Sequence, residues 1–498
     1  MVAFNRIPSG IRVPLFYAEV NSGQSYFSGN SKLLLIGQKL AAGTAATDTP
    51  VQVSSDNIAT LFGNGSMLVD MIRVARRNNP LGEIWALPLA DTGAAQTFTV
   101  TLSGTLTPGL LVLYIAGQRV AVSVTSADTL TTAAAALVSA INAGYRWFDG
   151  SSYLHPVSAA NAAGVMTLTA RHQGIVGASI GIEKDRVGDE GPNVSNITIA
   201  NGTAGSGQPT LTTGLAALGS QEFDMIAMPY ADATSLNAMR DFLSDTGGRW
   251  DPMQGLFGAC FTASAGNLAA QTTLGSGRND PNMHIMGYQG SPSPTWVWAA
   301  ALGAQAQLHK NLGAPLSEAV EISRPMHTLE MVGVYPPKDI SKQWSLSDRQ
   351  SLYYAGISGY VVSPDGRVLI DRIVSTYRTN ASGASDTTWL DVETRYQTAY
   401  ALRYLKSIVT QTYARVALAA DNPGNIQGLV TTTDIKSTVI HAYQSLVNAG
   451  VMKNRQAFAD NLIVEQASDP SRVNAYLPLD VVNQLRIFAA NATTFVRA

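Results

Sequence analysis

Apolar and other residues alternate with a period of two over the beginning of the chain, residues 1–30. This period places alternate side chains on one face and predicts a strand. Two prolines in the stretch lack a backbone donor, which suits an edge strand or a strand donated to another sheet. The apolar positions of the alternation are Ile11, Val13, Leu15 and Tyr17. We therefore predict an extended N-terminal arm.

From residue 31 the pattern changes to short apolar strands that alternate with helices. The predicted strands are 33–36, 84–89, 223–228, 256–261 and 284–288, and the longer helices are 235–243, 264–274, 296–308 and 346–355. Candidate helix N-caps are Ser54 or Ser55, Ser66 and Ser126. Alternation of strands with helices implies parallel pairing with helices on both faces. We predict a discontinuous α/β core of mostly parallel sheet over residues 31–90 and 205–390.

The stretch between the two parts of this core, residues 91–204, is rich in Thr, Ser, Gly, Val and Ala. Its predicted strands are 97–102, 111–115, 120–124 and 165–170, and one helix is predicted from Ser126 to Ile141. A glycine-rich return follows at residues 201–207. These features predict an inserted β-rich domain.

The last part of the chain begins after a predicted hairpin, residues 360–370, in which Asp365 and Gly366 supply the turn. A long helix is predicted over residues 392–420, ended by Pro423 and Gly424. We predict an α+β C-terminal domain over residues 391–479. In the tail, residues 480–498, the apolar residues Leu485 and Ile487 alternate with the polar residues Gln484 and Arg486. The tail is therefore predicted to be a second extended arm. Leu485, Arg486, Ile487 and Phe488 are the predicted contact residues of this arm.

The content of charged residues and the net charge limit the classes of function that the chain can have. Charged residues make up only 14% of the 498 residues, against about 25% in typical globular proteins. Two interpretations stay open: much of the surface meets protein, or neutral polar side chains keep it solvated. The formal net charge of -2 offers no basic excess for phosphates, so nucleic-acid binding is not expected.

Targeting and redox signals are equally sparse. The first residues lack the layout of a signal peptide, and no run of 18 apolar residues occurs, so we expect no membrane insertion. The single cysteine, Cys260, cannot build a disulfide or a cysteine-based metal site and is expected to be a buried small apolar residue. We expect the chain to be made and kept in a cytoplasm-like compartment until it is assembled.

Two short motifs match hydrolases. Residues 177–181 fit G-x-S-x-G, with Ser179 as nucleophile and His172 nearby, but that chemistry needs a strand before the serine and a helix after it. Asp-Thr-Gly occurs at Asp91 and at Asp245, and paired aspartates can share a proton. A turn at Ser179 and a helix end at Asp245 fit the local pattern better. A serine or aspartic hydrolase is the alternative function.

Cofactor and metal motifs are missing from the sequence. It contains no H-E-x-x-H, no Walker A motif and no G-x-G-x-x-G after a strand, and its six histidines are scattered. We therefore expect neither a cofactor nor a metal ion.

The predicted helix over residues 392–420 carries a basic stripe. Arg395, Arg403 and Lys406 fall within an arc of roughly 80° at 100° per residue. Such a stripe suits docking on an acidic partner, and a simple solvated face is the alternative.

Several stretches of the chain resemble, in their order and spacing, the sequences of one known protein family. They are 7–20, LLLIG at 33–37, LFGNGS at 61–66, EIWALPL at 83–89, 133–143, LTARHQG at 168–174 and FDMIAMP at 223–229. In this order the chain resembles the tail sheath proteins of contractile-tailed bacteriophages, most closely the Mu-like sheath, over nearly its whole length.

The resemblance implies a structural protein and not an enzyme. In that family, subunits stack as a helical homo-oligomer around an inner tail tube protein and contract to drive the tube through the host envelope. It implies an α/β core likened to subtilisin, terminal arms that add strands to neighbouring subunits, and a tube-facing helix that corresponds to the one with Arg395, Arg403 and Lys406. Baseplate and tail terminator proteins are the further partners, in a virion tail assembled in the host cytoplasm. Another tail or baseplate structural role is a further alternative.

Overall fold

The computed structural model describes residues 31–495, except for residues 55–56, 147–149, 163, 187, 190, 312–320 and 425. The predicted N-terminal arm, with Ile11, Val13, Leu15 and Tyr17, lies outside the described residues, so this prediction stays untested.

Strands and helices are numbered here in chain order. The strands are β1 (Lys32–Gln38), β2 (Val51–Gln52), β3 (Glu83–Leu89), β4 (Ala95–Leu102), β5 (Gly109–Ile115), β6 (Gln118–Val124), β7 (Tyr145–Arg146), β8 (Ser152–Tyr153), β9 (Val157–Ala162), β10 (Val165–Gln173), β11 (Ile182–Glu183), β12 (Ile197–Asn201), β13 (Met225–Ala227), β14 (Ala259–Ala265), β15 (Met283–Tyr288), β16 (Gly359–Val362), β17 (Val368–Arg372), β18 (Ala417–Leu418), β19 (Leu429–Val430), β20 (Ile463–Gln466) and β21 (Val473–Tyr476). The helices are α1 (Ile58–Phe62), α2 (Met67–Asn78), α3 (Leu130–Ala143), α4 (Thr212–Ala217), α5 (Ala233–Phe242), α6 (Leu268–Ser276), α7 (Thr295–Asn311), α8 (Leu346–Tyr354), α9 (Val392–Tyr413), α10 (Thr432–Asn448) and α11 (Arg455–Asn461).

A six-stranded sheet in the order β15-β14-β13-β1-β3-β2 forms the centre of the molecule. All its pairings are parallel except that of β2, which runs antiparallel at the edge. Strand β15 is buried along its whole length, and β1 is buried except at Lys32. Helices α2 and α7 pack against the sheet and against each other. Strands buried over nearly their whole length are typical of a parallel sheet covered by helices. The predicted α/β core with a mostly parallel sheet is confirmed.

Helix beginnings are only partly as the sequence predicts. Ser66 does cap α2, because its hydroxyl accepts a hydrogen bond from the Val69 amide at 3.2 Å. The other two predicted caps are wrong. The N-cap residue of helix α1 is Asn57, whose side chain makes no capping hydrogen bond. The predicted caps were Ser54 or Ser55, and Ser55 lies outside the described residues. Helix α3 follows Thr129, whose capping box with Thr132 displaces Ser126 as its start.

The described part of the inserted stretch forms two larger antiparallel sheets, in the orders β12-β4-β10-β9 and β11-β5-β6, and a two-stranded antiparallel sheet of β7 and β8. Helix α3 packs against β6 and β9. The four predicted strands of this stretch are confirmed, each with slightly wider bounds. The return toward the core is held by a bridge between Ala94 and Ser206. The domain boundaries themselves stay a prediction.

The predicted helix over residues 392–420 is too long. Helix α9 ends at Tyr413, and β18 then pairs in parallel with β19. The Ala417 and Ala419 amides donate to the carbonyls of Gly428 and Val430 at 2.8 and 2.9 Å. These main-chain bonds to β19 outweigh the helix preference of the Ala-rich stretch after Tyr413. The helix therefore ends before Pro423 and Gly424, which were predicted to end it. The hairpin of β16 and β17 is confirmed, with Gly366 at φ +81°.

The tail beyond Asp480 forms no strand within the described residues, so the predicted second arm stays a prediction. Val481 makes one antiparallel bridge to Met452, and residues 482–495 have no ladder partner in the described part of the chain. None of the described helices is long and apolar enough to cross a membrane.

Candidate assembly surface

The C-terminal tail leaves the body of the molecule beside helices α9 and α10. The Lys453 amide donates to the Asp480 carbonyl at 2.9 Å, and the Val482 amide donates to the Val451 carbonyl at 3.1 Å. The Tyr443 hydroxyl, on the buried side of α10, also donates to the Lys453 carbonyl at 2.7 Å. Main-chain bonds therefore fix the root of the tail to the connection between α10 and α11.

Polar side chains of the tail point inward onto α9. The Gln484 amide donates to Gln397 Oε1 at 3.2 Å. Arg486 Nη2 lies 2.7 Å from Glu393 Oε2 and 3.3 Å from Asp391 Oδ1. Burial raises the pKa of Glu393, and the Arg486 cation partly opposes this. Arg486 thus supplies the counter-charge for a carboxylate that is fully buried.

Apolar side chains of the tail point outward. Leu485, Ile487, Phe488 and Phe495 are between 77% and 86% exposed. The predicted alternation therefore holds over residues 484–487, with the polar residues against the body and the apolar ones in solvent. A row of exposed large apolar side chains on a segment with no strand partner among the described residues is a surface suited to burial against another chain.

Arg395, the first residue of the predicted basic stripe, is buried, with only 8% of its surface exposed. Its guanidinium carbon lies 3.7 Å from the ring centroid of Trp250 and 4.5 Å from that of Trp389. Its Nε donates to Asn282 Oδ1 at 2.8 Å. Burial lowers the pKa of Arg395 to about 10, so it is still a cation at neutral pH.

Arg403, the second residue of the stripe, belongs to a largely buried ion cluster. Its Nη1 donates to the carboxylate of Asp224, and Lys310 Nζ reaches the same carboxylate at 2.7 Å. Its Nη2 donates to the Leu256 carbonyl at 2.8 Å. Burial alone would raise the pKa of Asp224, but Lys310 and Arg403 together lower it to about 2.

Lys406 is the exposed member of the three, and no carboxylate in the described part of the chain lies within ion-pair distance of it. The structure therefore does not bring the three cations together as one surface. Two of them join α9 to the core, and docking on a partner stays a prediction that now depends on Lys406.

The residues that would serve a hydrolase have other partners. The Ser179 hydroxyl donates to the Val176 carbonyl at 2.7 Å and accepts from the Thr295 amide at 3.3 Å. His172 Nδ1 lies 2.7 Å from Asp91, and its Nε2 accepts from the Met67 amide at 2.8 Å. Both ring nitrogens are therefore engaged, and His172 is not bonded to Ser179.

The two aspartates of the predicted aspartic hydrolase site, Asp91 and Asp245, also have other partners. Asp91 accepts from Gln38 and His172 at 2.7 Å each. Asp245 is exposed and bonds within its own loop to Thr246. No contact in the described residues joins the two aspartates.

Metal-binding and redox chemistry find no support in the described residues. In the described part of the chain, no three or more His, Cys, Asp or Glu side chains are grouped so that they could hold a metal ion. Cys260 is buried in the core, and burial raises the pKa of its thiol.

Comparisons with family models and with curated proteins both match this chain to phage tail sheath proteins. Two family models match: the phage tail sheath protein central domain over residues 204–376, and the phage tail sheath C-terminal domain over residues 384–495. The Mu-like prophage FluMu tail sheath protein of Haemophilus influenzae is 34% identical over 500 residues, which cover 98% of each chain.

Solved structures were also matched. The sheath tail protein of Desulfitobacterium hafniense matches with a TM-score of 0.48 at 13% identity, over 94% of this chain and 97% of its own. The sheath tail protein Lin1278 of Listeria innocua gives 0.47 at 12%, over 92% and 93%. A chain of the anti-feeding prophage baseplate gives 0.48 at 10%, over 98% and 100%.

Proposed function

The chain belongs to the phage tail sheath family, in its Mu-like branch, and from that premise we propose how it assembles and works. It is a structural subunit of a contractile tail sheath. In our proposal its copies stack helically around an inner tail tube and are joined by their terminal arms. The sheath then contracts and drives the tube through the host envelope. The proposed surroundings are the virion tail, after assembly in the host cytoplasm.

The outward apolar face of the tail carries this proposal. Residues 485–495 leave Leu485, Ile487, Phe488 and Phe495 in solvent, although each is a residue type that proteins bury. Strand addition to a neighbour's sheet would satisfy the tail's unpaired main chain and cover this face together. The N-terminal arm is proposed to act in the same way through Ile11, Val13, Leu15 and Tyr17.

Head-to-tail contacts between unlike patches build open helices, which is the geometry that a sheath needs. A tail rooted by the Val451 and Asp480 main-chain bonds can reach a neighbour while the folded body keeps its own contacts. Extended joints of this kind survive when the bodies rotate, which suits contraction. Baseplate and tail terminator proteins are the proposed partners at the ends of the assembly.

We also propose that the protein has no catalytic function. Ser179, His172 and Asp91 each have structural hydrogen-bond partners that leave no nucleophile and base in contact. In our proposal contraction draws its free energy from contacts between copies, and the α/β core, likened to subtilisin, serves as a rigid body.

Deletion of residues 485–498 tests the assembly proposal. We expect the shortened chain to remain folded, because Gln484 and the main-chain bonds at the root of the tail stay in place. It should be less stable than the full chain, because buried Glu393 loses the counter-charge of Arg486. It should form no tubular polymers, because the apolar face is gone. Electron microscopy of the full chain and the deletion, with circular dichroism as the folding check, measures both effects.

A matched control keeps the tail but changes a distant surface. Tyr354→Ser removes one exposed aromatic residue of α8 and should leave the tubes intact. Normal tubes from the deletion variant would contradict the role of the C-terminal arm.

A further inference from the structure

A cavity of about 520 Å³ opens at the N-terminal end of strand β15, between the end of helix α5 and helix α9. This volume lies within the range of about 300–1,000 Å³ that small-ligand sites occupy. Apolar walls come from Leu243, Trp250, Met283 and Trp389, and Arg395 lines it as a cation. We call it the Arg395 cavity.

Arg395 is more than nine-tenths buried, yet its hydrogen bonding is incomplete. The Nε bond to Asn282 and the two indole rings account for its contacts. Among the described residues, nothing accepts a hydrogen bond from its terminal nitrogens Nη1 and Nη2. Neither nitrogen is a buried donor without a partner, so both reach the solvent of the cavity. A ligand anion could accept charge-assisted hydrogen bonds from them.

The other charges at the cavity do not supply this acceptor. Arg240 pairs with Asp241 at 2.7 Å, and Asp280 pairs with Arg278 at 2.7 Å. Asp245 is on the wall and exposed, and it lies beyond ion-pair distance of Arg395, although its charge favours the cation. The Tyr377 hydroxyl donates to Asp386. One cation is therefore left without a bonded counter-ion.

Geometry selects the class of ligand. A guanidinium binds acceptors in its own plane, and two adjacent nitrogens match the two oxygens of a carboxylate. With Nε occupied by Asn282, the edge formed by Nη1 and Nη2 remains. A single cation next to Asp245 favours a monoanion over a doubly charged phosphate. We propose that the Arg395 cavity binds a carboxylate group through Nη1 and Nη2.

Two sources can provide this chemistry: a free organic acid, or an acidic side chain of a neighbouring copy. The first measurement uses the full-length chain and isothermal titration with N-acetylglutamate N-methylamide, whose glutamine analogue is the control probe. We expect saturable binding of one acid per chain and binding of the amide that is weaker by about tenfold or more, because a charge-assisted pair is lost. Equal binding of both probes, or no binding, would overturn the proposal.

Variants assign the binding to the cavity. Arg395→Met should weaken binding of the acid by about tenfold or more. Because this change can also damage folding, Asp245→Asn provides a second test at an exposed position. Removing the nearby negative charge should tighten binding by about threefold. Arg367→Gln, which makes the same change of charge as Arg395→Met on an exposed hairpin, should leave the affinity unchanged. An unchanged affinity in Asp245→Asn would count against the cavity as the site.

Assembled polymers distinguish the two sources. If an acidic side chain of a neighbouring copy fills the cavity, tubes should no longer bind the probe that the unassembled chain binds. If the natural ligand is a free acid, tubes should bind one probe per chain with the affinity of the unassembled form. Both results support a carboxylate site and name its source, and neither depends on the role of the C-terminal tail.

Discussion

Asp224 shows how one carboxylate can join two parts of the protein. It precedes strand β13 of the core, and Arg403 reaches it from α9, 179 residues later in the chain. Lys310 approaches the same carboxylate from the end of α7. Removing one partner of a buried ion cluster costs far more than the cluster itself contributes, because the remaining charges stay buried without compensation.

We predict that Asp224→Asn destabilises the protein by about 3 kcal/mol at pH 7, because Lys310 and Arg403 lose their shared counter-charge. The pKa of Asp224 is lowered from 3.8 to about 2 on folding, so its stabilising effect is complete above pH 4. It is lost as the pH falls toward 2, and the difference between variant and parent should shrink there. Guanidinium unfolding at several pH values measures this.

Asp365→Asn is the matched control, since Asp365 pairs with Arg367 at the exposed tip of a hairpin. It should leave the free energy of unfolding nearly unchanged, because solvent screens this exposed pair. If Asp224→Asn is as stable as the control at neutral pH, the cluster does not hold α9 to the core.

Residues that act through near neighbours in the chain were predictable, and the others were not. Ser66 was identified as a cap because its partner Val69 is three residues away. The burial of Arg395 between Trp250 and Asn282 depends on residues more than a hundred positions apart in the chain. Helical periodicity alone placed Arg395 and Arg403 on a surface stripe, because it carries no information about which face the core covers.

Three basic residues of helix α9 lie in three different environments. Arg395 lines the cavity, Arg403 enters the ion cluster, and Lys406 reaches solvent. Glu393 and Gln397 hold the tail, and neither residue was singled out from the sequence. Their signal was absent because a buried Glu in the first turn of a helix looks like an ordinary N-terminal acid.

We predict that Lys406→Glu lowers the yield of sheath assembled on inner tubes while tubes of the sheath protein alone still form. The exposed cation is proposed to meet an acidic surface of the tube, and charge reversal turns that attraction into repulsion. Cosedimentation with purified inner tubes at low and high salt measures the effect. Arg415→Glu, a charge reversal at another exposed position just after α9, is the control. Equal cosedimentation of variant and parent would remove Lys406 from tube docking.

The tail illustrates what an alternating pattern can and cannot say. Gln484, Leu485, Arg486 and Ile487 do alternate between two sides. The alternation alone does not predict which side faces the body of the molecule. That side is set by Glu393 and Gln397 of helix α9, which bind Arg486 and Gln484. The polar side is anchored and the apolar side is free.

At the scale of the whole molecule, a mostly parallel sheet forms the core, and bonds such as that of the Met67 amide to His172 join the β-rich stretch to it. The low content of charged residues, 14%, fits a protein whose surface is partly covered by copies of itself. The core was predictable because alternating strands and helices are a strong local signal. The assembly depends on contacts outside one chain.

The central claim is that the C-terminal tail joins one copy to the next. A cryo-electron microscopy reconstruction of the tubes formed by the full-length chain tests it most directly. We predict that residues 484–488 of each subunit form a β-ladder with a strand of a neighbouring subunit, with Leu485 and Ile487 buried in the joint. A tail that stays unpaired, or that folds back onto a strand of its own subunit, would contradict the account.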